Sequence, residues 1–191
     1  MSLSEKSEKK TRISRIKTYK AIVDKRNESL KWKKLKCGLW KSKTGEIGFK
    51  TQEGTEQGIF IVKYIVKIGD KKMSSVIDLK TFKHLGSSFY KDKNHIYTHY
   101  SMASGGSFFI VQEADLKTFK VIGDCYAKDK NHIFGERHMI IKSADYKTFK
   151  TKKGVGCFAK DKNGYYFWDS KLDLEDLDEY SKKAVGELNK L

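Results

Sequence analysis

The stretch YAKDKNHIF, residues 126–134, decides the fold, because the chain writes it three times. An upstream copy reads YKDKNHIY (90–97) and a downstream copy FAKDKNGYYF (158–167). In each, Asp-Lys-Asn lies between aromatic residues. Three copies of an active site in one chain would be odd, whereas three copies of a structural corner would not. Asp suits the first position of a reverse turn, where its carboxylate accepts backbone N–H groups. The fourth position is expected to take positive φ and rejoin the second strand through a bulge. Gly164 does this freely, and His95 and His132 at modest cost. Asp92, Asn94, Asp129, Asn131, Asp161, Asn163 and Gly164 are therefore read as turn residues, with the flanking aromatics paired across a hairpin.

Working outward, each corner follows the same lead-in. The copies run from Asp78 to Tyr97, Asp115 to Phe134 and Asp145 to Phe167, each opening Asp-x-Lys-Thr-Phe-Lys. A fourth, eroded copy occupies 29–49, with Trp32 in place of Phe82, Trp40 in place of Tyr90, and Ser42-Lys43-Thr44-Gly45 where the corner stands. Terminal repeats are often atypical, since one side faces water. Phe82, Phe119 and Phe149, at one repeat position, are expected in the core. IFIVKYIVKI (59–68) alternates with a period of two, which reads as a half-buried strand. The expected fold is mainly β: tandem antiparallel hairpins, three clear and one degenerate, in a solenoid- or propeller-like sheet array with short terminal helices. The expected organisation is a disordered tail (1–10), a basic helical segment (11–28), the repeat domain (29–172) and an amphipathic helix (173–191).

The net charge is +16, and residues 1–50 carry 16 Lys/Arg against 5 Asp/Glu. Such a front end attracts anions. Lys31, Lys33, Lys34, Lys36, Lys41 and Lys43 form the candidate basic patch. No segment is long and apolar enough to span a membrane, and Met1 is followed by a polar stretch rather than a signal peptide. Three cysteines, Cys37, Cys125 and Cys157, leave one unpaired in any disulfide scheme and lack C-x-x-C spacing. Cys125 and Cys157, aligned with each other and with Phe89, read as small apolar residues in one slot.

The copies at 92–97, 129–134 and 161–166 resemble the bacterial DKNYY family, each following a Thr-Phe-Lys. The resemblance covers 78–167 well and 29–49 faintly. It carries over no catalytic residue, and it implies an exported or envelope protein.

Chemistry-bearing constellations are sparse. The Asp/Asn corners resemble the start of a calcium loop, but the later glutamate ligand is absent. His84, His95, His99, His132 and His138 match no metal spacing, and no nucleophile fingerprint occurs. No metal, cofactor or catalytic residue is assigned. The non-repeating stretch 98–108 is an insertion of seven residues relative to the next copy. It is the candidate binding loop, with His99, Tyr100, Ser101, Ser104 and Ser107. The reading is a non-enzymatic binding protein whose partner is a protein or an anionic envelope polymer. The alternatives are a nucleic-acid module using the basic front end, and an enzyme with its site at 98–108.

Overall fold

The computed structural model describes residues 3–137 and 140–191. Among them, the protein is mainly β, with five antiparallel sheets. It divides into two compact units: Met1–Ile77 with Ser101–Phe108, and Asp78–Tyr100 with Phe109–Leu191. This division cuts across the single repeat domain expected over 29–172, because the hairpin tip at 101–108 belongs with the first unit.

The first unit opens with helix α1 (Leu3–Leu30), 28 residues long and therefore about 42 Å. Neither glycine nor proline interrupts it, and it stops at Lys31, whose φ is +44°. Residues 3–10, expected to be disordered, continue this helix, so the N-terminal helix is not short. The eroded copy supplies β1 (Lys33–Lys34), β2 (Leu39–Lys41) and β3 (Ile47–Gly54). β4 (Phe60–Ile65) completes an ordered β1-β2-β3-β4 sheet. Both faces of β4 are used. Ile61 is buried, Asn27 of α1 donates to the Val62 carbonyl, and Lys63 lies over the Tyr19 ring of α1. Trp32 stacks on Tyr64 at 4.1 Å. That stack needs Gly48, since a Cβ there would lie 3.1 Å from both rings' side chains. A small hairpin, β5 (Lys67–Ile68) and β6 (Lys71–Lys72), leads into the one-turn α2 (Met73–Val76).

The second unit contains the three clear copies. The first gives β7 (Lys83–Gly86), β8 (Phe89–Lys91), β9 (Ile96–Met102) and β10 (Gly105–Ile110). The second gives β11 (Lys120–Val121), β12 (Tyr126–Lys128) and β13 (Ile133–Gly135). The third gives β14 (Phe158–Asp161), β15 (Gly164–Phe167) and β16 (Ser170–Lys171). The corner register is the same in all three: Lys91↔Ile96, Lys128↔Ile133 and Lys160↔Tyr165. The eroded copy differs by one extra tip residue, pairing Lys41 with Ile47.

The cores of this unit run from sheet to sheet. Phe89 meets Phe119 edge-on at 5.5 Å, and Tyr126 meets Phe149 edge-on at 5.3 Å. At the end of the series Phe158 meets Tyr180 of helix α3 (Glu179–Asn189), edge-on at 5.6 Å. The helix thus covers Phe158 of the last hairpin. Its Ala184 and Leu188 are buried with Val155 and Phe158, and Asp178 caps its first turn by accepting from Ser181 N–H. Residues 173–178 lie ahead of the helix rather than in it. Phe82, Phe119 and Phe149 are 1%, 8% and 5% exposed; the last two lie inside these cores, and Phe82 packs on Tyr90 and Tyr97 of its own copy.

Candidate interaction surface

The repeated aspartates form a clasp that sequence reasoning saw only in half. The corner aspartate accepts from its own tip: Asp92 Oδ1 from Asn94 and His95 N–H, and Asp129 Oδ1 from Asn131 and His132 N–H. Asp161 Oδ1 accepts from Asn163 N–H. The other oxygen reaches back to the lead-in. Asp92, Asp129 and Asp161 Oδ2 accept from the N–H of Asp78 (2.8 Å), Asp115 (2.9 Å) and Asp145 (2.5 Å). The lead-in aspartate accepts from its threonine hydroxyl, and that hydroxyl accepts from the backbone N–H of the corner lysine: Lys93 donates to Thr81, Lys130 to Thr118 and Lys162 to Thr148. The same three lysines then pair with Asp78, Asp115 and Asp145 at 2.9–3.1 Å.

Asp-Lys-Asn is thus a latch between two turns of one repeat. These bonds hold Asp78, Asp115 and Asp145 at a pKa of about 2. The largest causes are Lys93 for Asp78, Thr118 for Asp115 and Thr148 for Asp145. For Asp129, burial opposes ionisation, and the N–H donors of Asp115, Asn131 and His132 overcome it.

One expectation at the corner fails. His95 and His132 do not have positive φ, whereas Gly164 does, at +128°. The clasp, with two N–H groups on one carboxylate oxygen, closes the turn without a left-handed residue. His132 is instead packed edge-on to Phe134 at 5.8 Å. His138 lies outside the described residues.

Lysines recur in register on the sheets. Lys33 pairs with Lys41, Lys83 with Lys91, Lys120 with Lys128, and Lys150 bridges to Lys160. Like charges directly opposite cost a sheet stability, so pleat geometry alone gives no reason for the pattern. The second lysine has a structural use in two copies: Lys91 Nζ donates to the Leu116 carbonyl, and Lys128 Nζ to that of Tyr146. Burial, and after it the charge of Lys120, holds the Lys128 ammonium below its usual range. Lys83 and Lys120 are exposed, as are Lys80, Lys117 and Lys147 of the lead-ins. In the first unit Lys31, Lys33, Lys34, Lys36, Lys41 and Lys43 are all exposed. Lys50 lies over the Trp40 ring at 5.4 Å.

The 98–108 insertion is not a loop. It lengthens β9 and β10 into a hairpin with its turn at Ala103–Ser104. His99 and Tyr100 belong to the second unit, and Ser101, Ser104 and Ser107 to the first. Tyr100 stacks on Phe109, and burial lowers the His99 pKa to about 4.

Sequence reasoning also missed a pairing. Cys125 and Cys157 form a disulfide between the second and third copies, and Cys37 is free. The register places Tyr126 and Phe158 opposite the same positions as Phe89, so the two cysteines match Ser88 rather than Phe89. Their shared repeat position was the available signal.

These features define an antiparallel β protein built on Asp-Lys-Asn hairpins. Residues 106–171, which take in the second and third copies, match the model of the DKNYY family. No curated protein and no solved structure matches the chain.

Proposed function

We propose that this is a non-catalytic binding protein whose hairpins present lysines to an extended anionic polymer, with a cell-envelope polymer as the leading ligand. The observation that carries the reading is the in-register lysine pair in each hairpin copy. It persists in the eroded copy, where Ser42 has replaced the corner aspartate and Trp32 the core phenylalanine. A flexible chain of repeating negative charge offers one counter-charge per hairpin and relieves the repulsion within each pair. In this reading the second unit is a solenoid-like stack, not a propeller. Support comes from the series of cores that ends on α3, which occupies the face a closing blade would need.

The test is titration of the folded protein with inorganic polyphosphate and with a purified teichoic-acid-type polymer. Binding is expected at low salt, weakening as salt rises, and Lys83→Gln with Lys120→Gln should weaken it without lowering the melting temperature. Absence of binding at low salt, or an unchanged affinity in the double variant, contradicts the reading. A second reading is nucleic acid on the first unit, favoured by its exposed lysines and by Lys50 over the Trp40 ring. It predicts that Lys33→Gln with Lys41→Gln, and not the second-unit pair, abolishes binding of short duplex DNA.

A further inference from the structure

We propose that the reduced chain binds a thiophilic divalent cation, Zn2+ above all, through Cys125, Cys157 and Glu136, and that formation of the Cys125–Cys157 disulfide closes this site. The sulfur atoms and a Glu136 carboxylate oxygen lie within 4.8 Å of one another. Cys157 Sγ is 3.7 Å from Glu136 Oε1. Zinc holds thiolate at about 2.3 Å and carboxylate at about 2.0–2.2 Å, so tetrahedral neighbours stand roughly 3.3–3.8 Å apart. Once the disulfide opens, small side-chain rotations bring three donors into that range.

The fourth position is available. A cavity of about 10 Å³ borders Cys125, Glu136, Arg137, Trp168 and Asp169, room for about one water-sized ligand. The charges also fit: two thiolates and a carboxylate against the cation leave one negative charge, and the Arg137 guanidinium stands beside it, 3.8 Å over the Trp168 ring. Glu136 itself is half-buried, and burial holds its carboxyl above the usual range despite Arg137. Trp168 Nε1 and Ser88 Oγ, both buried, adjoin that carboxylate and favour its ionised form.

The framework does not depend on the disulfide. Asp124 Oδ2 accepts from Gly154 and Gly156 N–H at 2.7 and 2.8 Å, fixing the loop that delivers Cys157. The Tyr126 hydroxyl donates to the Cys157 carbonyl at 2.7 Å. The two cysteines therefore stay together when reduced. Opening takes two electrons and two protons: a small thiol reductant supplies both and ends as its own disulfide, whereas a phosphine supplies the electrons and ends as the phosphine oxide, with water giving the oxygen and the protons of the two thiols. The cation then displaces both thiol protons to solvent as the two S–metal bonds form.

The test uses the full chain carrying Cys37→Ser, reduced with a phosphine and titrated with Co2+ as the optical probe, then Zn2+ as competitor. One equivalent of Co2+ should produce sulfur-to-metal charge-transfer absorption and tetrahedral visible bands, which Zn2+ removes. Glu136→Gln should weaken binding by at least the roughly 10–100-fold that losing an outer-shell partner costs, and alter the visible bands while keeping charge transfer. Cys125→Ser with Cys157→Ser should abolish the charge-transfer band, and the oxidised chain should bind no ion. Zn2+ should raise the melting temperature of the reduced chain by mass action. A reduced chain with no charge-transfer band and an unmoved melting temperature overturns the proposal. So does equal binding in the double serine variant.

Discussion

Asp129 joins the two turns of its repeat. It is 3% exposed and accepts from three backbone N–H groups, those of Asp115, Asn131 and His132. Its removal leaves those donors without partners, so Asp129→Ala should cost about 2–4 kcal/mol in a denaturant melt, since each unsatisfied buried donor costs about 1 kcal/mol or more. The histidine beside it has no positive φ to relieve. His132→Gly should therefore destabilise by about 0.5–1 kcal/mol through added chain entropy, plus the lost contact with Phe134. Gly164, at φ +128°, gives the contrast: Gly164→Ala should cost about 1–2 kcal/mol. The sequence made the turn at Asp-Lys-Asn legible because Asp has a local bonding habit. It could not reveal the partner turn 14 residues upstream, because that bond depends on how the two turns meet in space.

At the scale of the hairpin, the aromatic seams and the clasps should fail separately. Phe119→Ala and Phe149→Ala should each cost about 3–5 kcal/mol, as buried aromatic truncations do. Leu188→Ala, fully buried in α3, should cost about 2–5 kcal/mol by uncovering Phe158. Acid should act in two steps. His99, whose folded pKa is lowered to about 4, binds its proton more readily unfolded, so its contribution is lost as pH falls from about 6.5 toward 4. The lead-in aspartates, lowered from 3.8 to about 2, contribute stability above about pH 4 that is lost between about 4 and 2. Melting temperature against pH should show both declines, and His99→Gln should remove only the first.

The repeat period and core aromatics were legible because they recur. Three things were not. Residues 3–10 read as a tail because their polarity hides good helix propensity. The 98–108 stretch read as a loop because Ser and Gly mask a strand extension. The disulfide was not legible because aligned cysteines fit an apolar slot as well as a bond between copies.

At the scale of the whole molecule, the charge is not a uniform coat. Corner lysines are spent on the clasps, whereas Lys83 and Lys120 stay exposed opposite other lysines. Among the described residues, no helix is long and apolar enough to cross a membrane. Screening at physiological salt reaches about 8 Å, so exposed lysines on one hairpin act together while distant ones act independently. Affinity for a polyanion should then be built from near-equal increments, one per hairpin.

The most direct measurement is the dependence of polyphosphate affinity on salt, for the parent protein and for variants losing Lys33 and Lys41, Lys83, or Lys120, each to Gln. The logarithm of the affinity should fall linearly with the logarithm of the salt concentration, by about 0.7–0.9 for each charge neutralised, a range taken from nucleic-acid strands. Each variant should lower that slope by a share that follows the number of lysines removed, with the fold unchanged. A slope that is flat in the parent protein, or equal in all the variants and the parent, would contradict the account.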